Sequence, residues 1–170
     1  MEYCKLAALL LAVTAAFFDL STDKIPNWLC FAGFGAGICL RMLLLPAGPW
    51  QGLFGALLGA GLPFALLFLP YCFRMVGAGD VKLLMALGAF AGWPGSLNLL
   101  FGTLLLGAAF SIGIMCGRTG FLPRLRHFKG FVQGLLAGVP EPYGTIGKRP
   151  ENMHFAVPVF LGTFLWALFF

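Results

Sequence analysis

The chain has 170 residues, of which 60% are apolar, 15% aromatic and only 10% charged, with eleven Lys or Arg against six Asp or Glu. A soluble domain carries about 25% charged residues, so this chain has too few to cover a water-facing surface. Its aromatic, apolar character excludes disorder, and a net charge of +5 that is not gathered on a polar fold argues against a nucleic-acid partner. The composition is that of an all-α integral membrane protein.

Apolar length gives six predicted spans in chain order: Cys4–Phe18, Trp28–Leu45, Gln51–Phe73, Val81–Trp93, Leu97–Cys116 and Met153–Phe170. A spanning helix needs about 17–25 residues; the first segment is slightly short and the fourth clearly so. Turn-forming runs separate them at Ile25-Pro26-Asn27, Pro46 to Pro49, Gly77-Ala78-Gly79 and Trp93-Pro94-Gly95. The start, Met1 to Ala16, has the outline of a signal peptide, but cleavage there would detach Asp19 from its helix, and the chain is read as keeping it.

Charge distribution decides whether the fourth and fifth segments are two spans or one. With six spans, Lys24, Arg74, Lys82, Arg118, Arg124, Arg126, Lys129, Lys148 and Arg149 share one side, while Lys5 and Arg41 lie on the other. That excess marks the first side as cytoplasmic and puts both termini outside. Merging the two segments would move six of the nine basic residues outward. The long polar stretch 117–152 is then a basic cytoplasmic loop between the fifth and sixth spans. Within it Phe121, Leu125, Phe128, Val132, Leu135, Leu136 and Val139 share one helical face, a pattern that fits either an amphipathic helix along the headgroups or a solvated loop.

No metal site is expected. Cys4, Cys30, Cys39, Cys72 and Cys116 are widely spaced and form no C-x-x-C pair. His127 lies among basic residues, and His154 has no Cys or His at ligand spacing.

Of the six acids, Glu2, Glu141 and Glu151 fall in water-facing segments and Asp23 in a polar turn beside Lys24. Asp19 and Asp80 differ, for one ends the apolar first span and the other opens the fourth, directly after Gly77-Ala78-Gly79. An ionisable group at membrane depth costs about 2.5–3.5 kcal/mol on insertion scales and is a functional candidate for that reason. The six-span topology puts both carboxylates at the cytoplasmic edge. Two neighbouring carboxyl groups do not both ionise easily, which equips them as an acid–base pair for peptide hydrolysis. Gly77 and Gly79 are expected to permit a tight bend and close approach of a substrate backbone before Asp80. The competing structural account has Asp19 reaching to the interface and Asp80 capping its helix and pairing with Lys82.

Two motifs tilt the balance. Asp19-Leu20-Ser21-Thr22-Asp23-Lys24-Ile25-Pro26-Asn27 resembles the first motif of the type IV prepilin peptidases, an Asp five residues before an Ile/Leu-Pro pair. Gly77-Ala78-Gly79-Asp80-Val81-Lys82-Leu83-Leu84 resembles their second, G-x-G-D followed by x-K-L, and Met153-His154-Phe155-Ala156-Val157-Pro158 is a looser likeness to the start of their last span.

The resemblance implies a single membrane-embedded peptidase domain over 1–170. It would be an aspartic endopeptidase of the inner membrane that removes basic leader peptides from prepilins or pseudopilins at the cytoplasmic face. Asp19 and Asp80 would be the catalytic pair, Gly77 and Gly79 the shapers of the loop before Asp80, and Lys82 an orienting residue. No cofactor is implied. The likeness is to the compact, tight-adherence form of the family, without the paired C-x-x-C segment of the larger, methylating enzymes. The alternatives are another G-x-G-D membrane peptidase, of preflagellin or signal-peptide type, and a scaffold or small transporter using the two Asp as ion or proton sites. The Ile25-Pro26 turn argues against the signal-peptide type.

Overall fold

The computed structural model describes residues 2–22, 24–45, 48–73, 76–117 and 155–169, and these residues form an all-helical protein. Its elements are α1 (Glu2–Thr22), α2 (Asn27–Leu44), α3 (Pro49–Cys72), α4 (Ala78–Gly117) and α5 (Ala156–Phe169). By length and composition α1 to α4 can each cross a membrane, and α5 is a shorter apolar helix. Most of the expected basic loop and its amphipathic stretch, with His127 and His154, lie outside the described residues.

The boundaries follow local chemistry. Pro26 is extended, at φ −67° and ψ 132°, and α2 starts immediately after it. Gly48, at φ 108°, turns the chain into Pro49, the first residue of α3, where a missing N–H costs nothing. With no Gly or Pro before Ile25, α1 runs on to Thr22, beyond the expected end at Phe18. Asp19 therefore sits in the last helical turn.

The surface pattern is that of a protein made for lipid. On α1, Leu6, Leu10, Val13, Phe17 and Leu20 point outward, while Ala8, Ala12, Ala15 and Ala16 are buried with Leu11. Large side chains outside and small ones at the helix contacts are expected where lipid supplies the solvent and close backbone packing supplies the cohesion. In water, so much exposed apolar area would drive association.

The fourth element spans 40 residues and is two helices joined across a kink, in the stretch where the sequence predicted two segments. A straight helix of that length would extend about 60 Å, twice the hydrocarbon thickness of about 30 Å. It is not straight. Gly92 lies at φ 63° and ψ −176°, Trp93 is extended, and the Trp93–Pro94 bond is cis. A residue with a side chain is excluded from the Gly92 conformation, and Pro94 is suited to the first turn of the resumed helix. The break at Gly92 and Trp93 overlaps the predicted Trp93-Pro94-Gly95 turn and begins one residue before it.

Contacts measure how sharp the break is. A methyl group on Gly88 would lie 3.0 Å from Ser96 Oγ, although residues eight apart in an unbroken helix are separated by about 12 Å along the axis. Ser96 Oγ also donates to the Gly59 carbonyl at 2.6 Å, and Gly59 and Gly88 pack backbone on backbone, with no room for a Cβ on either. Arg41, only 5% exposed, donates Nη1 to the Phe90 carbonyl at 3.1 Å. It thereby satisfies an acceptor that the break deprives of its helical partner and puts a cation at a helix C-terminus, the favourable end. The guanidinium fills the space beside Gly92 that a side chain there would need.

The fourth element is the centre of the bundle, packed against all four others. Its Leu83, Leu84, Leu87, Leu99 and Leu100 are fully buried on both sides of the break. The contacts of α5 descend along the second part of α4, with Trp166 beside Gly95, Gly162 against Thr103 and Phe155 beside Gly107. The start of α5 is thus carried to the end of the bundle where α1 finishes.

Candidate active site

Four helix termini supply the groups described at that end: the last turn of α1 and the first turns of α2, α4 and α5. An edge-to-face contact between Phe18 and Trp28, with ring centroids 6.3 Å apart, joins the first two. Asp19 is half-buried in α1, and its Oδ2 accepts the backbone N–H of Ala156, the first residue of α5, at 3.3 Å. The first turn of a helix has N–H groups without helical partners, so α5 offers a donor where α1 presents its carboxylate.

Asp80 is half-buried in the first turn of α4, which opens at Gly77 with a hydrogen bond from Val81 N–H to the Gly77 carbonyl at 3.2 Å. Its carboxylate folds back over Gly77 and accepts that residue's N–H, which is the N3 half of a capping box. Asp19 and Asp80 are close enough to interact electrostatically. Two of the four converging termini therefore each bring one carboxylate to this end, and the other two contribute contacts that hold them.

The two glycines have different surroundings. A Cβ on Gly77 would lie 2.9 Å from Asp80 Oδ2, whereas one on Gly79 would meet only Ile25, at 3.7 Å, an ordinary contact. Neither has the positive φ found at Gly48 and Gly92, and Ala78, Gly79 and Asp80 are already helical. The expected tight bend is thus replaced by a helical first turn. A side chain on Gly77 would crowd the carboxylate, whereas Gly79 has room for a methyl group beside Ile25.

Lys82 does not face Asp80, since residues two apart lie on different sides of a helix. Its Nζ donates to Asn27 Oδ1 at 3.0 Å, across to the first residue of α2. Buried Cys30, one turn along α2, is within electrostatic reach of both Lys82 and Asp80. The sequence reading singled out Asp19, Asp80, Gly77, Gly79 and Lys82 but gave no role to Asn27, Cys30 or the Ala156 N–H. Asn27 follows the Ile25-Pro26 pair, and that adjacency was its only signal; a backbone donor 137 positions from Asp19 leaves none. Among the described residues no group of three His, Cys, Asp or Glu could hold a metal ion.

Comparison with known proteins bears out the family resemblance. Prepilin leader peptidase/N-methyltransferase of Aeromonas salmonicida (strain A449) is 34% identical over 120 residues, covering 65% of this chain and 40% of that protein. The protein of that name from Aeromonas hydrophila is 33% identical over 120 residues, again 65% of this chain and 40% of the relative. The one from Burkholderia pseudomallei (strain K96243) is 32% identical over 110 residues, covering 63% and 35%. The chain thus spans about two-fifths or less of the length of these curated relatives. No solved structure matches it significantly. The model of the type IV leader peptidase family matches residues 6–112, a segment that holds Asp19, Asp80, both glycines and Lys82, and the chain belongs to that family.

Proposed function

We propose that the chain is an intramembrane aspartic endopeptidase that removes leader peptides from prepilins or pseudopilins, with Asp19 and Asp80 as its catalytic pair. The observation that carries this reading is the convergence of two half-buried carboxylates, from the end of α1 and the start of α4, within electrostatic reach of each other. Membership of the leader peptidase family supports it. The proposal concerns leader cleavage and does not extend to N-methylation.

The chemistry balances with water as the sole co-reactant. One ionised carboxylate takes a proton from water as the water oxygen attacks the scissile carbonyl carbon. The other, protonated, gives its proton to the carbonyl oxygen, and a gem-diol forms. On collapse the first carboxyl passes its new proton to the leaving nitrogen and the C–N bond breaks. The second takes back a hydroxyl proton as the carbonyl reforms, restoring both groups.

In the bilayer, the two parts of α4 on either side of Gly92 serve as separate antiparallel spans, giving six in all. The dyad end, with Lys24 and Lys82, faces the cytoplasm of an inner membrane, and the end with Lys5 and Arg41 faces out, as do Glu2 and Phe169. A basic leader would be held by anionic inner-leaflet headgroups near the dyad, at about 1 kcal/mol per Lys or Arg.

The test is cleavage of a synthetic pilin precursor with a basic leader by purified protein in liposomes. One cut at the leader junction is expected, with a bell-shaped pH–rate profile whose two constants belong to the pair. No cleavage, or only a metal-dependent one, would overturn the reading. Sidedness is read in intact cells after replacement of the native cysteines. A cysteine at Ala47, between the second and third helices, should label with an impermeant thiol reagent, and one at Lys24 should be shielded.

A further inference from the structure

The proposed dyad leaves unexplained why a lysine two positions after Asp80 should reach away from it. Lys82 Nζ is hydrogen-bonded to Asn27 Oδ1 at 3.0 Å, and Ile25, two residues before Asn27, packs on Gly79. The turn joining α1 to α2 is therefore fastened at two points to the first turn of α4. Asp19 lies at one end of that turn, and Asp80 lies between the two fastening points on α4. Buried Cys30, one turn along α2, is within electrostatic reach of Lys82 and Asp80.

We infer that Asn27 and Lys82 form a positioning clasp that sets the separation of the Asp19 and Asp80 carboxylates, and that Lys82 acts through Asn27 rather than on the dyad or the substrate. The inference rests on the peptidase reading above for its kinetic part only. The geometry gives three reasons. The clasp is the one side-chain hydrogen bond among the described residues that joins α2 to the start of α4. Asp19 is separately held to α5 through Ala156, so movement at the α2–α4 contact alters Asp80 relative to Asp19 rather than shifting both together. The partner is a neutral amide, which fixes the lysine without adding a third carboxylate beside the pair. Hydrolysis by two groups around one water is sensitive to such displacement, for misplacement by about 1 Å can cost about 10²-fold in rate.

The experiment is a double-mutant cycle in liposomes with Asn27→Ala, Lys82→Met and both together, with Asn27→Asp as an isosteric acceptor. Each single variant should lower kcat by about 10- to 100-fold with KM nearly unchanged, and the double should fall no further than the worse single. Asn27→Asp, at its own pH optimum, should recover most of the loss. A second readout needs no catalysis. With the other four cysteines replaced, labelling of Cys30 by a small thiol reagent should accelerate in both single variants and reach the same corrected rate in the double. Rates are corrected for the thiolate fraction of each variant, because Lys82→Met also removes a nearby cation.

Multiplicative losses, or a loss with Lys82→Met while Asn27→Ala behaves as wild type, would overturn the clasp. So would unchanged Cys30 labelling in the variants, or losses that merely track the fraction of protein unfolded. If the wild type cleaves no leader peptide while Cys30 labelling follows the expected cycle, the peptidase reading fails and the clasp itself stands.

Discussion

Where α2 ends and α3 begins, the bundle is closed by backbone packing. Arg41 is 5% exposed, Gly52 lies on the Arg41 carbonyl, Gly59 and Gly88 touch main chain to main chain, and Gly92 makes way for the guanidinium. At the opposite end Asp19, Asp80, Gly79 and Lys82 are all half-buried, Asn27 and Gly77 are exposed, and side-chain hydrogen bonds replace close backbone contact. One ionisable group is sealed in the first region, where it satisfies a carbonyl orphaned by the helix break. Two stay partly exposed in the second, where the proposed hydrolysis would need water and a peptide to reach them. Burial with a fixed partner makes a charge structural; partial burial among adjustable partners leaves it free for chemistry.

Substitutions should separate the two ends. The largest effect is expected from Asp19→Asn or Asp80→Asn. Each should cut turnover by at least about 10²–10⁴-fold with melting temperature and insertion unchanged, as measured by leader cleavage and thermal unfolding in detergent. Near-normal turnover by either would show that this end is not the reactive one.

Arg41→Met should behave the opposite way. The Phe90 carbonyl loses its donor in an environment without water, at a cost of about 1–3 kcal/mol, read as lower thermal and detergent stability. Gly88→Ala should cost a similar about 1–3 kcal/mol by overpacking against Gly59. In both, kcat per folded molecule should hold; a selective loss of kcat at full stability would mean the closed end is coupled to the site.

The smallest effects sharpen the description of the open end. Gly77→Ala should reduce kcat by up to about tenfold, because its methyl group displaces the Asp80 carboxylate. Gly79→Ala should be close to neutral, since its methyl meets Ile25 at an ordinary distance. Equal effects at the two glycines would return the role to backbone flexibility, as the sequence alone suggested.

Much of the site was legible because its signals are local. Asp19 and Asp80 stood out as acids in apolar surroundings, and each carries its motif within a few residues. Neither glycine's reason was legible, because a motif records identity and not the neighbour that excludes a side chain. Arg41 was read only as a charge for counting sides; its burial depends on Phe90 and Gly92, about 50 positions away.

By itself the sequence determined that this is an apolar helical protein made for lipid, that turns at Ile25-Pro26-Asn27 and Pro46 to Pro49 divide its first three helices, and which two carboxylates stand apart. These follow from composition, turn residues and short-range patterning, which act within a few positions of the chain. Only the tertiary structure decided that Lys82 reaches to Asn27, that Asp19 meets the first N–H of α5, and that Arg41 is sealed against a broken helix. Each joins atoms on different helices, and without a hydrophobic drive between helices in lipid, their placement is set by how closely small residues let the backbones approach.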